Sequence, residues 1–255
     1  ENWHFLGFGG LFSGILAGFL GIGGGTVLVP MQIALGYTPL QAVATSSLAI
    51  VITATSGTVQ NWRMGFINFQ RVILLALPAL FTAQIGVYLA SIFSSKVLLV
   101  TFGFLLLLNI LLVAWRKRLI LRETETENQQ PTLQPHIARM LTGGGAGVLA
   151  GLFGVGGGII MVPLQMLLLK EPIKVAIQTS LGVIVITAIS ASVGHALRGN
   201  ILLIQGLILG LGGLLGAQVS TRFLPKLPDK IVSIAFRSLL AILAVYMFWQ
   251  AWHIR

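Results

Sequence analysis

Two stretches of the chain, "GIGGG" at residues 21–25 and "GVGGG" at residues 154–158, join glycine to glycine inside apolar surroundings. A residue without Cβ lets the backbone itself approach a ligand. Each stretch precedes an apolar segment expected to open a new helix, with Pro30 or Pro163 in its first turn, where a missing N–H is tolerated. Such a helix start offers free N–H groups and the positive end of the dipole, which suits an anion. Gly23, Gly24, Gly25, Gly156, Gly157 and Gly158 are therefore candidate binding residues, and a Cβ there would fill the space the anion needs. Ser46, Ser47, Thr179 and Ser180 add uncharged hydroxyl donors about 20 residues later. Gln32 and Gln165, behind the prolines, and Gln84 and Gln218, in apolar segments, read first as hydrogen bonds between helices.

Other chemistries fit less well. Neither glycine run continues into the Lys-Ser/Thr of a nucleotide P-loop, and the nearest dinucleotide-type pattern, residues 145–150, falls in an apolar helix. There is no cysteine, and the six acidic residues lie at termini or in connections, so a cation carrier with a carboxylate at membrane depth is disfavoured. No Ser/His/Asp or metal-ligand grouping suggests catalysis. Catalytic residues, metal and cofactor are all expected to be none. His195 reads as an interfacial residue at the end of a span, opposite Asn61 at the matching position of the first half.

Those matching positions come from an internal duplication. "GFLGIGGGTVLVPMQ" at residues 18–32 returns as "GLFGVGGGIIMVPLQ" at 151–165, with five glycines, one proline and one glutamine in register at an offset of 133. "SSL" at residues 46–48 aligns with "TSL" at 179–181. From "VITA" at 51–54 and 185–188 the offset is 134, and it holds through Gly65 with Gly199 and Lys96 with Lys230. Duplication of this kind is a signature of secondary transporters.

Composition sets the solvent. Hydrophobic residues make up 56% of the 255 and charged ones only 9%, and apolar segments of spanning length recur. The net charge of +10 then reads as positive-inside loops rather than nucleic-acid binding. Residues 5–20 and 26–35 are each too short to span, at about 24 Å and 15 Å as helices against a hydrocarbon core of about 30 Å. They could cross together as one broken helix or return as a hairpin. With residues 116–139 fixed inside, hairpins place twelve basic residues inside and three outside, and crossing helices nine and six. The expected fold is an all-α polytopic membrane protein of two inverted repeats, each a glycine-broken re-entrant pair plus about three transmembrane helices. The boundaries are 1–115 for the first repeat, 116–136 for a polar cytoplasmic linker and 137–255 for the second. Small-residue pairs such as Gly10/Gly14/Gly18, Gly147/Gly151 and Gly212/Gly216 serve helix packing, so Gly14→Ala is expected to be mild.

The duplicated "GxGGG…P" phrase, the "TSL"-type element, "RMGFIN" at residues 63–68 and "LRGNIL" at 197–202 resemble the TauE/SafE family of sulfite-exporter-like membrane transporters. The resemblance covers nearly the whole chain, with Asn61-Trp62 standing where the second half has His195-Ala196. It implies transport of small sulfur-containing anions such as sulfite, thiosulfate or organosulfonates. The residues themselves argue for a small oxyanion held between the two loops. The expected function is a secondary transporter, with an anion channel using the same site as the alternative. Expected partners are the anionic substrate and the lipid bilayer, with a homo-oligomer left open and no nucleic acid. The expected location is the cell membrane, multi-pass, which is the inner membrane in a Gram-negative bacterium.

Overall fold

The computed structural model describes residues 3–123 and 135–253, with side chains at 3–112 and 136–253. Among these residues it is all-helical: α1 Trp3–Leu20, α2 Gly25–Ala34, α3 Pro39–Arg63, α4 Phe69–Ile92 and α5 Ser95–Glu123, then α6 Pro135–Phe153, α7 Gly158–Leu168, α8 Ile173–Ala196, α9 Leu203–Phe223 and α10 Asp229–His253. Seven helices are long and apolar enough to cross a membrane, namely α1, α3, α4, α5, α8, α9 and α10; α1 was expected to be too short, but it starts at Trp3 and reaches 18 residues, whereas α2 and α7 are too short. α5 runs on to Glu123, so the first part of the expected linker is helical, and residues 124–134 of it lie outside the described residues.

Local signals explain the boundaries. Thr38 and Gln41 form a capping box ahead of Pro39 at the start of α3, and Asn68 Oδ1 accepts from the Arg71 N–H at the start of α4. α2 and α7 start directly at Gly25 and Gly158, each after a left-handed N-cap glycine. Pro30 and Pro163 therefore lie inside their helices, well past the first turn where they were expected. Each removes one backbone hydrogen bond from an already short helix.

α3 and α8 form the centre and are buried along most of their length, whereas the other long helices bury a smaller share. The outer pairs are interleaved: α1 packs on α9, and α4 on α6. Both contacts bring backbone onto backbone. A Cβ on Gly10, Gly14, Gly212 or Gly216 would land on a backbone atom of the facing helix in the first pair, and one on Gly86, Gly143, Gly147 or Gly151 would do so in the second. α5 packs against α10, and the stacked rings of Phe102 and Phe153, with centroids 5.1 Å apart, pin α5 to the last residue of α6.

This contact corrects the expectation for Gly14. Its missing Cβ faces the Gly213 carbonyl oxygen, which cannot rotate away, so Gly14→Ala forces the helices apart. Gly7, on the same helix, has open space where its Cβ would be. In thermal melts of the purified protein, Gly14→Ala should lose about 1–3 kcal/mol through overpacking. Gly7→Ala should be neutral or gain up to about 1 kcal/mol through helix propensity.

Candidate functional site at the paired glycine loops

The two glycine loops meet at the centre of the molecule. Gly21, Gly23 and Gly24 have φ of 65°, 73° and 80°, and Gly154, Gly156 and Gly157 have 62°, 73° and 79°. All six sit in the left-handed region, where a side chain is strained. Gly25 and Gly158 face the opposite loop: a Cβ on Gly25 would strike the Gly154 carbonyl oxygen, and one on Gly158 the Gly21 carbonyl oxygen. The space that these glycines keep free is thus occupied by the other loop. Cβ atoms on Gly24 and Gly157 would meet Ser13 and the Ala146 backbone respectively.

Two hydroxyls and two isoleucines fix the loops. Ser13 Oγ donates to the Gly24 carbonyl at 3.0 Å, and Thr187 Oγ1 donates to the Gly156 carbonyl at 3.0 Å. Ile50 of α3 and Ile184 of α8 each lie beside both Gly23 and Gly156. They form one buried apolar cluster with Ala54 and Ala188, so the midplane between the loops is closed by hydrocarbon. Neither isoleucine carries a chemical signal in sequence. Their recurrence at the 134-residue offset is the trace that they left.

The four candidate hydroxyl residues are buried but not equivalent. Ser46 Oγ accepts from Gln32 Nε2 at 2.7 Å, and Ser180 Oγ accepts from Gln165 Nε2 at 2.9 Å. The same amide nitrogens donate to Ala42 O and Ala176 O, both at 3.3 Å. An amide nitrogen only donates, so each serine is left with its own proton to give. Ser47 Oγ instead donates to Val43 O at 3.0 Å, within its own helix. Thr179 is buried beside Ser180, and its counterpart Thr45 accepts from the Leu202 N–H at 3.1 Å. These partners pair Ser46 with Ser180, one residue away from the register of "SSL" on "TSL". The extra residue lies between Gln165 and Ala176, where α7 has 11 residues against 10 in α2 and the two connections are equally long. Ser46 and Ser180 stand one helical turn before Ile50 and Ile184, about 6 Å along their helices. The glutamines, read at first only as links between helices, thus set the state of both serines.

The open helix starts supply the electrostatics. The first N–H groups of α2 and α7 have no preceding turn to bond to, and both dipoles present their positive ends at the loops. Among the described residues no three His, Asp or Glu side chains are grouped to hold a metal. Gln84 Nε2 links α4 to α8 through Ser190 O at 2.6 Å and Ser190 Oγ at 2.9 Å.

His195 departs from expectation. It is fully buried rather than interfacial, because α6 packs over the end of α8 and its Gly151 carbonyl lies 3.0 Å from His195 Nε2. Asn61 is also fully buried, with neither side-chain polar atom paired, and His195 Nδ1 has no partner either. The duplication placed these residues opposite each other but gave no sign of their depth.

The sequence profile described as "Sulfite exporter TauE/SafE" matches residues 6–247. The chain belongs to the TauE/SafE family. Among relatives, it is similar to "Probable membrane transporter protein YunE" of Bacillus subtilis, 27% identical over 260 residues that cover 94% of this chain and 95% of the relative. It is also similar to "Probable membrane transporter protein YdhB" of the same species, at 27% over 87% of this chain and 90% of the relative. A relative bearing the same description in Methanocaldococcus jannaschii is 25% identical over 93% and 92%. Family and helices together make this TauE/SafE protein a multi-pass cell-membrane transporter.

The His195–Gly151 contact can be probed by shape. Glutamine can bring an amide nitrogen to the place of Nε2, whereas asparagine is too short to reach it. His195→Asn should lower thermal stability by about 1–3 kcal/mol by leaving the Gly151 carbonyl unpaired, and His195→Gln should recover most of that loss. Equal melting of the two variants would show that the contact contributes nothing.

Proposed function

We propose that this TauE/SafE protein is a secondary transporter of a small sulfur-containing oxyanion, bound where the α2 and α7 N-termini converge, with Ser46 and Ser180 as side-chain donors. The observation that carries the reading is the meeting of the two glycine loops at the starts of α2 and α7, Gly25 against Gly154 and Gly158 against Gly21, at the centre of an apolar protein. Two positive helix ends open at these loops, and sulfite, thiosulfate or an organosulfonate supplies the matching charge. Each Gln–Ser pair leaves one hydroxyl proton for the anion, Ser46 on one side of the loops and Ser180 on the other. With Ile50 and Ile184 closing the midplane, the anion enters only when the loops part. That closure favours a carrier over an open channel, and counterflow in sealed vesicles separates the two.

The same proposal takes residues 1–115 and 137–255 as inverted repeats, with α1–α2 and α6–α7 as re-entrant hairpins. Three contacts support it. Gly143, near the start of α6, lies against Leu75 in the early part of α4. Glu171, just after α7, pairs at 3.1 Å with Arg71, also at the start of α4. The chain thus reaches the same end of α4 before and after the broken segment. At the opposite end, the Leu202 N–H before α9 bonds Thr45 near the start of α3.

Two experiments test these statements. Ser46→Ala and Ser180→Ala should each weaken anion binding roughly 2- to 13-fold, the cost of one neutral hydrogen bond. Ser47→Ala should leave binding unchanged, since its hydroxyl is spent on Val43. Thermal shift of the purified protein with sulfite, thiosulfate, sulfoacetate, sulfate, nitrate and taurine reads both affinity and selectivity. Unaltered binding in both active-serine variants removes them from the site. For topology, a cysteine placed at Lys170 in this cysteine-free chain should react with a membrane-impermeant reagent from the same face as one placed at Arg139. Labelling from opposite faces rules out the α6–α7 hairpin.

A further inference from the structure

The two broken segments share a plan but are not held in the same way. Their common ties are alike: Gln32 joins α2 to α3 through Ser46 Oγ at 2.7 Å, and Gln165 joins α7 to α8 through Ser180 Oγ at 2.9 Å. Both short helices also bury most of their residues. Beyond that, the polar contacts that reach each segment from the rest of the chain differ.

The second segment, α6–α7, is fastened to α8 and α4. Thr187 Oγ1 of α8 donates to the Gly156 carbonyl at 3.0 Å, and His195 Nε2 lies 3.0 Å from the Gly151 carbonyl. From α4, Thr82 Oγ1 donates to the Gly144 carbonyl at 2.8 Å, and Arg71 pairs at 3.1 Å with Glu171, just past α7. The ties therefore fall on the middle of α6, its last turn, the loop and the exit from α7.

The repeat offset leads from each tie to a position in the first half that lacks it. Thr53, matching Thr187, donates instead to the Ala49 carbonyl of its own helix at 3.0 Å. Asn61, matching His195, has neither polar side-chain atom paired. Gly216 stands in the place of Thr82, and Gln205 in the place of Arg71. The contacts that do reach α1–α2 are longer: Ser220 Oγ to the Gly14 carbonyl at 3.3 Å, and Tyr246 Oη to the Pro30 carbonyl at 3.4 Å. Its short bond, Ser13 Oγ to the Gly24 carbonyl at 3.0 Å, joins α1 to its own loop, and Ala146 holds the matching place in α6.

A segment braced within itself and lightly tied to its surroundings moves as one body at low cost. We propose that α1–α2 is the segment that swings when the loops part, while α6–α7 stays with α8, held by Thr187 and His195 as positioning residues. Its movement draws Gly25 away from the Gly154 carbonyl and Gly23 away from Ile184, which opens the midplane from one side. The assignment rests on the reading that the loops part to admit an anion.

Hydrogen exchange of the purified protein, read by mass spectrometry as protection factors, compares α2 with α7 before any anion is added. Protection in α2 should be lower by at least about tenfold, since one hydrogen bond is worth roughly 2- to 13-fold and α6–α7 has several more. Thr187→Val should lower protection at residues 154–168 and leave residues 21–35 unchanged, whereas Thr187→Ser, which keeps the hydroxyl, should retain it. Equal protection of α2 and α7 in the unmodified protein overturns the proposal, as does an α7 indifferent to Thr187→Val. If that variant fails gel filtration, the comparison on the unmodified chain decides alone. Added sulfite should then raise protection in α2 more than in α7, and protection gained by α7 alone also overturns the assignment. Sulfite without effect on either helix counts against the anion site, and the anion-free comparison still decides which segment moves.

Discussion

A backbone that leaves the helix inside hydrocarbon must find protein to lie against, because lipid offers nothing to its N–H and C=O groups. This chain leaves the helix twice at its centre, and each break is covered by the other. The Gly154 carbonyl stands where a Gly25 side chain would be, and the Gly21 carbonyl where a Gly158 side chain would be. From that mutual contact follow the left-handed glycines, the abrupt starts of α2 and α7, and the two isoleucines that seal the midplane. Either loop without its counterpart would expose bare backbone to lipid.

Polarity is concentrated on the helices that enclose this contact. α3 and α8 bury Ser46, Ser47, Thr53, Thr179, Ser180 and Thr187, together with Asn61 and His195 near their ends. The shell around them meets lipid with leucine, phenylalanine and isoleucine. Hydrogen bonds that cross helices tie the inner layer: Gln32 to Ser46, Gln165 to Ser180, Gln84 to Ser190, and Thr187 to the Gly156 carbonyl. In an apolar medium such contacts specify which helix faces go together, since burial of leucine against leucine gives little direction.

Sequence was a good guide wherever a residue type has one dominant reason. Three glycines in a row inside an apolar stretch mean close backbone approach, and the loops are where they were expected. The small-residue faces of α1, α6 and α9 were legible for the same reason. What stayed hidden depends on facing partners. The Gly14 contact needed the position of Gly213, and the depth of His195 needed α6 laid over α8. Pro30 was placed in a first turn although a helix opening at Thr26 already makes it the fifth residue, and with Gly25 helical it is the sixth. The serine register was off by one because "SSL" on "TSL" is the better match of letters, while Gln32 and Gln165 choose Ser46 and Ser180.

The interleaving of α1 with α9 has a consequence for how the protein is made. α1 ends at Leu20, and its partner helix begins at Leu203. At translation rates of about 5–20 residues per second, roughly 10–40 seconds separate the synthesis of the two. Throughout that interval the glycine face of α1 has nothing of its own chain to lie against, and the first broken loop has no second loop to cover it. The nascent chain thus holds its central helix break uncovered until the second half has entered the membrane.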